Sequence, residues 1–386
     1  MKMLIKLIMA TIFTLLFGIN EYCSIASEKP DFYRFYIGTY TGNKSKGIYS
    51  GKLYRAEDKI ELTGLAAETV NPSFLTLHPN GKFLYAVNET SKMDGKNEGG
   101  VTAFEINPED GKLKELNRKP SGGTAPCHLA IDKTGRFLVI ANYGSGTVAC
   151  YKLNENGTIG EKTAQIQHTG SGANPSRQSS PHAHWAGFSR DNKFAFVCDL
   201  GIDKVMIYQF NDQTGELKPN NPEYLKLPDG SGPRHLAFHP DGKRAFVINE
   251  LNSTISMLSY NPDTGAFALS GNIKTLPQDF TGKNTTAEID IHPNGKFLYG
   301  SNRGHDSIAC FEIAPEKPIL RLVDIISSGG KMPRNFAITP DGKYLISANQ
   351  STDNLVLFRI NQDTGKLTPA GIQVEVGSPV CIIFIK

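Results

Sequence analysis

The chain has few of the features that would place it in a covalently stapled or helix-built class. Its six cysteines lie at 23, 127, 150, 198, 310 and 381. None forms a Cys-x-x-Cys pair or a Cys/His cluster at zinc spacing, so no disulfide framework and no metal site is expected. Cys150 and Cys310 hold equivalent positions in two similar strands and read as small core residues. Forty-one Lys and Arg against 38 Asp and Glu leave a formal charge of +3 without a basic block. That gives bulk electrostatic binding of nucleic acid no footing. Helical periodicity of any length is missing beyond the N-terminus, and no cofactor motif stands out.

There is a single long apolar run, Leu7 to Ile19, about 13 residues where a bilayer span needs roughly 20. Lys2 and Lys6 precede it, and Ser24-Ile25-Ala26 sets small residues at −3 and −1 of a cleavage site. Residues 1–26 therefore read as a secretory signal peptide and 27–386 as the mature domain, exported to the periplasm and not held in the membrane after cleavage. Lipidation at Cys23 is disfavoured, because Asn20-Glu21-Tyr22 is a poor lipobox. No signal bears on oligomeric state.

What the chain does have is 38 Gly and 22 Pro, many in short turns, which favours many short strands. Gly232 to Leu258 shows the unit most clearly. Leu236-Ala237-Phe238 is an apolar burst, Pro240-Asp241-Gly242-Lys243 a tight turn, and Arg244 to Ile248 a second burst. After a polar bend, Thr254 to Leu258 alternates at period two, as a half-buried strand does. The turn recurs as His78-Pro-Asn-Gly-Lys, Asp132-Lys-Thr-Gly-Arg, Ser189-Arg-Asp-Asn-Lys, His239-Pro-Asp-Gly-Lys, His292-Pro-Asn-Gly-Lys and Thr339-Pro-Asp-Gly-Lys. From the starts at 78, 132, 189, 239, 292 and 339, the copies lie 54, 57, 50, 53 and 47 residues apart. A second turn, opening on Asn with a Gly three or four residues on, follows third strands at Asn107, Asn154, Asn211, Asn261 and Asn361. A period near 50 built of four short strands is a β-propeller blade. Pro379 to Lys386 is one surplus strand, while the stretch from Phe35 to Leu65 holds three strands lacking a first. Joining them closes a ring of seven blades without leaving an edge.

In such a meander the two hairpin families share one face. The residues leading into each first strand and leaving each second strand then converge on the opposite mouth of the channel. Counting back from each turn gives Ser73, Cys127, His184, Arg234, Ala287 and Arg334 as lead-in residues, with His128, His235, Glu288 and Asn335 one position on. The exits are Asn88-Glu89, Asn142-Tyr143, Asp199, Asn249-Glu250, Asn302-Arg303 and Asn349-Gln350. A mouth so rich in ionisable groups is the default site. The long polar loop Gly170 to His184 opens onto it. Plainer readings stand beside this one. His184 could bond only to backbone, Arg234 and Glu250 could form a structural ion pair, and His239 and His292 read as turn residues. Trp185 could wall the pocket or stack on a sugar.

Pro181-His-Ala-His184, Gly232-Pro-Arg-His235, Asn249-Glu-Leu-Asn252, Asn302-Arg303 and Pro333-Arg-Asn335 resemble motifs of the seven-bladed propeller lactonases. That family includes 6-phosphogluconolactonases of the propeller type and is related to carboxymuconate-lactonising enzymes. The resemblance covers roughly residues 32–386. It implies an all-β fold and a metal- and cofactor-free hydrolase acting on a small-molecule lactone. It also implies His184 as catalytic base, with Arg234, Glu250 and Arg303 assisting; His182 competes for the base role. His182, Arg334, Asn335, Glu288 and His128 are the expected substrate-binding groups. The residue types suit the reaction, since neutral His can activate water and Arg can stabilise an oxyanion. Glu250 would orient the imidazole or handle the leaving group's proton. The phosphorylated substrate is cytosolic and this chain carries an export leader, so the exact lactone stays open. A non-catalytic binding propeller and a muconate-type cycloisomerase are the alternatives.

Overall fold

The computed structural model describes residues 32–385; the expected leader and Cys23 lie outside them. The described chain is all-β, with 28 strands in seven antiparallel sheets of four. Six blades are continuous in sequence: 75–120, 126–167, 183–226, 233–274, 285–327 and 333–375. The remaining blade combines Phe32–Thr39, Gly47–Tyr54 and Lys59–Glu68 with Pro379–Phe384. Those last residues pair antiparallel with the first strand, Ile37 opposite Ile382 and Gly38 opposite Cys381. The ring closes as the strand count requires.

Second strands such as Phe137–Asn142 and Arg244–Asn249 are buried along their whole length. The third strand at Thr254–Tyr260 departs from the half-buried expectation, for only Ser259 is exposed. Each blade is covered on both faces by its neighbours, so alternation survives only on outer strands such as Leu367–Glu375. Seven apolar clusters fill the spaces between blades. All five described cysteines are buried and unpaired.

The hairpin turns take positive φ where the pattern demands it, 70° at Gly242 and 66° at Asn192, and Asn is one of the few residues that tolerates this. His78, His239 and His292 are turn residues with a further task. Each Nδ1 accepts a backbone N–H of its own turn. Each Nε2 then donates to the turn carbonyl of the next blade, Gly135, Gly295 or Gly342.

Deleting residues 379–386 removes Ile382 and Phe384 from the core cluster they share with Phe35 and Ile346, and strips the ladder from Phe32–Thr39. The truncated chain is expected not to fold stably. A soluble truncation with an unchanged thermal midpoint would contradict the role of that strand in closing the ring.

Candidate active site

A repeated irregularity of the backbone builds the site. Where four of the innermost strands start, the register with the second strand slips by a residue: between Pro126 and His128, Ala183 and Trp185, Pro233 and His235, and Pro333 and Asn335. The extra residues are Cys127, His184, Arg234 and Arg334. A β-bulge re-aims side chains, so two consecutive residues face the channel instead of one. The first of each pair turns toward the bend-side mouth and the second toward the hairpin side. On the exit side, Asn88, Asn142, Asn249, Asn302 and Asn349 are fully buried. Asn142, Asn302 and Asn349 tie down neighbouring loop carbonyls. The residue after the exit position, Glu89, Tyr143, Glu250 or Arg303, is the one that reaches the mouth.

Tyr40, Glu89, Cys127, Tyr143, Arg177, His184, Glu250, Thr285, Arg303 and Arg334 line one cavity of about 370 Å³. A wider hollow of 540 Å³ lies between hairpin turns, but Asp191, Lys193, Asp212 and Asp263 there are surface turn residues. Glu250 is the electrostatic centre of the smaller cavity. Its Oε1 accepts from Arg177 Nη2 at 2.6 Å, and its Oε2 lies 2.8 Å from Arg303 Nη2 and 3.2 Å from Arg234 Nε. Burial acts to raise this carboxyl, but Arg303, Arg234 and Arg177 outweigh it and hold it down at about 2. Burial, with Arg303 and Arg334 nearby, lowers Arg234 to about 10. Burial also drives the His184 imidazole well below its usual range, helped by Arg234, His235, Arg334 and Arg303. The ring is neutral at pH 7, and its Nδ1 has no hydrogen-bonding partner among the described residues. Arg334 differs from the other guanidiniums. Its charge sits 5.4 Å above the Tyr40 ring, and it makes no hydrogen bond or ion pair among the described residues.

His184, Arg234, Glu250 and Arg303 thus converge, with Arg234 just beneath the cavity wall. Three expectations need correction. Glu250 does not orient His184, because its oxygens are taken by three guanidiniums. His128, Glu288 and Asn335 do not join the cavity; with Trp185, Phe74 and His235 they line a separate space of about 650 Å³ toward the hairpin side. The bulge is the cause, since it sends the second residue of each pair the other way. His182 is fixed outside the cavity, stacked on Tyr143 at 4.5 Å, with Nδ1 against Tyr143 O at 2.8 Å.

Besides Cys127 and Thr285, four lining residues have no role assigned from sequence. Tyr40, Glu89 and Tyr143 each follow a second-strand exit, the same position as Glu250, and that equivalence is the available signal. Tyr40 OH donates to Glu89 Oε2 at 2.8 Å, and Ser73 Oγ donates to the same oxygen. The fourth, Arg177, is the one cation of the polar loop. The loop is anchored by Gln178, fully buried, whose Nε2 donates to Leu200 O and Asp203 Oδ1. Gly201 permits the loop's close passage, since a Cβ there would lie 2.0 Å from Ser180 O. Among the described residues no group of His, Cys, Asp and Glu is arranged to hold a metal ion.

The profile of the family described as "Lactonase, 7-bladed beta-propeller" matches residues 34–384. A 6-phosphogluconolactonase of Bacillus subtilis (strain 168) is 37% identical over 350 residues, covering 91% of this chain and 97% of the relative. A 6-phosphogluconolactonase of Formosa agariphila is 36% identical over 336 residues, covering 86% and 94%. The solved structure of a periplasmic gluconolactonase from Pseudomonas aeruginosa superimposes with a TM-score of 0.86 at 30% identity, covering 92% of this chain and 99% of that one.

Proposed function

The chain belongs to the lactonase family of seven-bladed β-propellers, and on that premise we propose that it is a hydrolase opening the ring of a sugar lactone in the arginine-rich cavity. The observation that carries this reading is one enclosure holding a neutral imidazole, His184, beside a guanidinium that makes no ion pair among the described residues, Arg334. A water oxygen bonds to the lactone carbonyl carbon while His184 takes its proton. The carbonyl oxygen becomes an oxyanion facing the guanidinium field of Arg303 and Arg334. Collapse breaks the ring C–O bond, the ring oxygen takes the proton back from the imidazolium, and the product is a hydroxy acid. Burial keeps His184 neutral in the resting site, and the arginines that add to this effect also face the developing negative charge. That charge relieves the repulsion on an imidazolium, so His184 becomes more basic along the reaction. Glu250, held at about 2, is too weak a base for this step; its work is to hold three guanidiniums in place.

Four guanidiniums against the two carboxylates Glu89 and Glu250 favour a substrate bearing a phosphate, or a carboxylate as it forms. Glu89, oriented by Tyr40 and Ser73, suits sugar hydroxyls as donors. The leader expected from sequence, together with the likeness to a periplasmic enzyme, supports action outside the cytosol.

The purified protein should be assayed against gluconolactone, its 6-phosphate and an unsaturated diacid. Hydrolysis of either lactone supports the reading. Binding without turnover favours a recognition module, and conversion of the diacid favours a cycloisomerase. With the phosphorylated lactone, Arg334→Met is expected to raise KM about 10- to 100-fold, the scale of one charged hydrogen bond. The change for the uncharged lactone should be smaller. Equal changes for both would remove the anion-binding role.

A further inference from the structure

We propose that Glu288, buried on the far side of the channel from the cavity, is a positioning residue that fixes the tautomer of His235 and through it the orientation of Arg234. Its effect on activity rests on the lactonase reading; its effect on His235 does not.

The chain of contacts is short. Arg234 Nη1 lies 3.1 Å from His235 Nε2 and donates to Ala287 O at 2.7 Å. A guanidinium has only donors, so Nε2 must accept and the proton must sit on Nδ1. That N–H meets Glu288 Oε1 at 2.9 Å. Ile289 N–H also donates to Oε1, at 3.0 Å. Asn335 Nδ2 donates to Oε2, and its own orientation is set by Ile382 N–H, which donates to Asn335 Oδ1 at 2.8 Å. Every neighbour of this carboxyl is thus a donor. A proton added to Glu288 has one acceptor within reach, His235 Nδ1, and only after that ring moves its hydrogen to Nε2. Such a move points an N–H at the Arg234 N–H and breaks one of the contacts that orient Arg234 beside Glu250.

The groups facing Glu288 are Arg234 and His235 from 233–274, Arg334 from 333–375, Cys381 on the closing strand and His128 across the shared space. Burial raises the Glu288 carboxyl to about 7, against the lowering pull of Arg234, Ile289 N–H, Asn335 and Arg334. His235 is held well below its usual range, chiefly by burial and then by Arg234, Arg334 and Arg303. Near neutrality the proton therefore goes to the carboxyl and not to the ring. Above pH 7 Glu288 accepts and Arg234 is held; as pH falls through 7 the acceptor is lost.

Two measurements test this. In ¹⁵N-histidine spectra of the wild type, His235 should be protonated at Nδ1 at pH 8.5 and shift toward Nε2 below pH 7. The pH profile of kcat/KM should fall by about tenfold per unit on the acid side of that transition. Glu288→Gln combined with Asn335→Asp keeps every hydrogen bond. The new amide's oxygen still accepts from His235, and its NH₂ donates to the carboxylate introduced at position 335. This pair should keep the Nδ1 tautomer at both pH values, retain activity at pH 8.5 and lose the limb near 7. Glu288→Gln alone sets two donors face to face and should be weaker until Asn335→Asp restores it. An Nε2-protonated His235 at pH 8.5, or a tautomer indifferent to pH, overturns the proposal, and the wild-type spectrum decides this even if the variants do not fold. A clear tautomer shift in a protein that turns over no lactone leaves it standing and removes the lactonase reading instead.

Discussion

His184→Asn is expected to lower kcat/KM for the lactone by about 10²- to 10⁴-fold, the range of one general base, with the thermal midpoint changed by only a few degrees. The ring is buried, yet its Nδ1 makes no hydrogen bond to the described protein. Its main neighbours are the Tyr143 edge at 5.6 Å and His235 at 5.2 Å. Little native structure hangs on the imidazole, so a large loss of turnover would be chemical in origin. Steady-state kinetics beside a melting curve makes the separation. Full activity in a folded His184→Asn protein would end the proton-acceptor role and leave Glu89 as the lining carboxylate that is not paired with an arginine among the described residues.

Glu250→Gln should instead act on fold and activity together. The substitution leaves three guanidiniums around a neutral amide, of which Arg234 and Arg303 are buried while Arg177 is 36% exposed. Removing one member of a buried ion cluster typically costs about 3–5 kcal/mol, and denaturant unfolding at pH 7 should show a loss of that order. The pH dependence follows from the depressed carboxyl. Its folded value, about 2, lies below the ordinary 4.5, so its contribution is fully present above the ordinary value. It is lost as pH falls from there through about 2. The variant should lack that acid-side decline. Added phosphate should stabilise it more than the wild type, because an anion can take the carboxylate's place. A variant as stable as the parent at pH 7 would mean that the arginines are solvated and that Glu250 does not organise them.

The architecture was legible because it is periodic. Six near-identical turns set the blade count, and the surplus strand at Pro379 to Lys386 set the closure. The cavity residues His184, Arg234, Glu250 and Arg303 could be found because each holds a repeat-equivalent position. Counting stopped working where the backbone stops being regular. A one-residue bulge leaves no trace in hydrophobic alternation, so Glu288, Asn335 and His128 were grouped with residues that face the other way. Arg177 stands outside the repeat altogether and reaches Glu250 only because Gln178 pins the loop. Partner choice inside the cavity was also beyond the pattern. Glu250 has a neutral imidazole and three cations nearby, and Coulomb attraction decides for the cations.

The unpaired cysteines have a practical consequence. They fall in four of the seven blades, two of them, Cys127 and Cys150, in the same one, and every thiol is shielded in the native ring. Cys127 borders the cavity; an alkylating reagent can reach each of the other four sulfurs only when the sheet around it opens. The order in which those four are labelled without denaturant would rank the segments by local unfolding, using reporters the polypeptide already contains. Cys381 would be the informative one, since its labelling times the release of the strand that holds the circle shut.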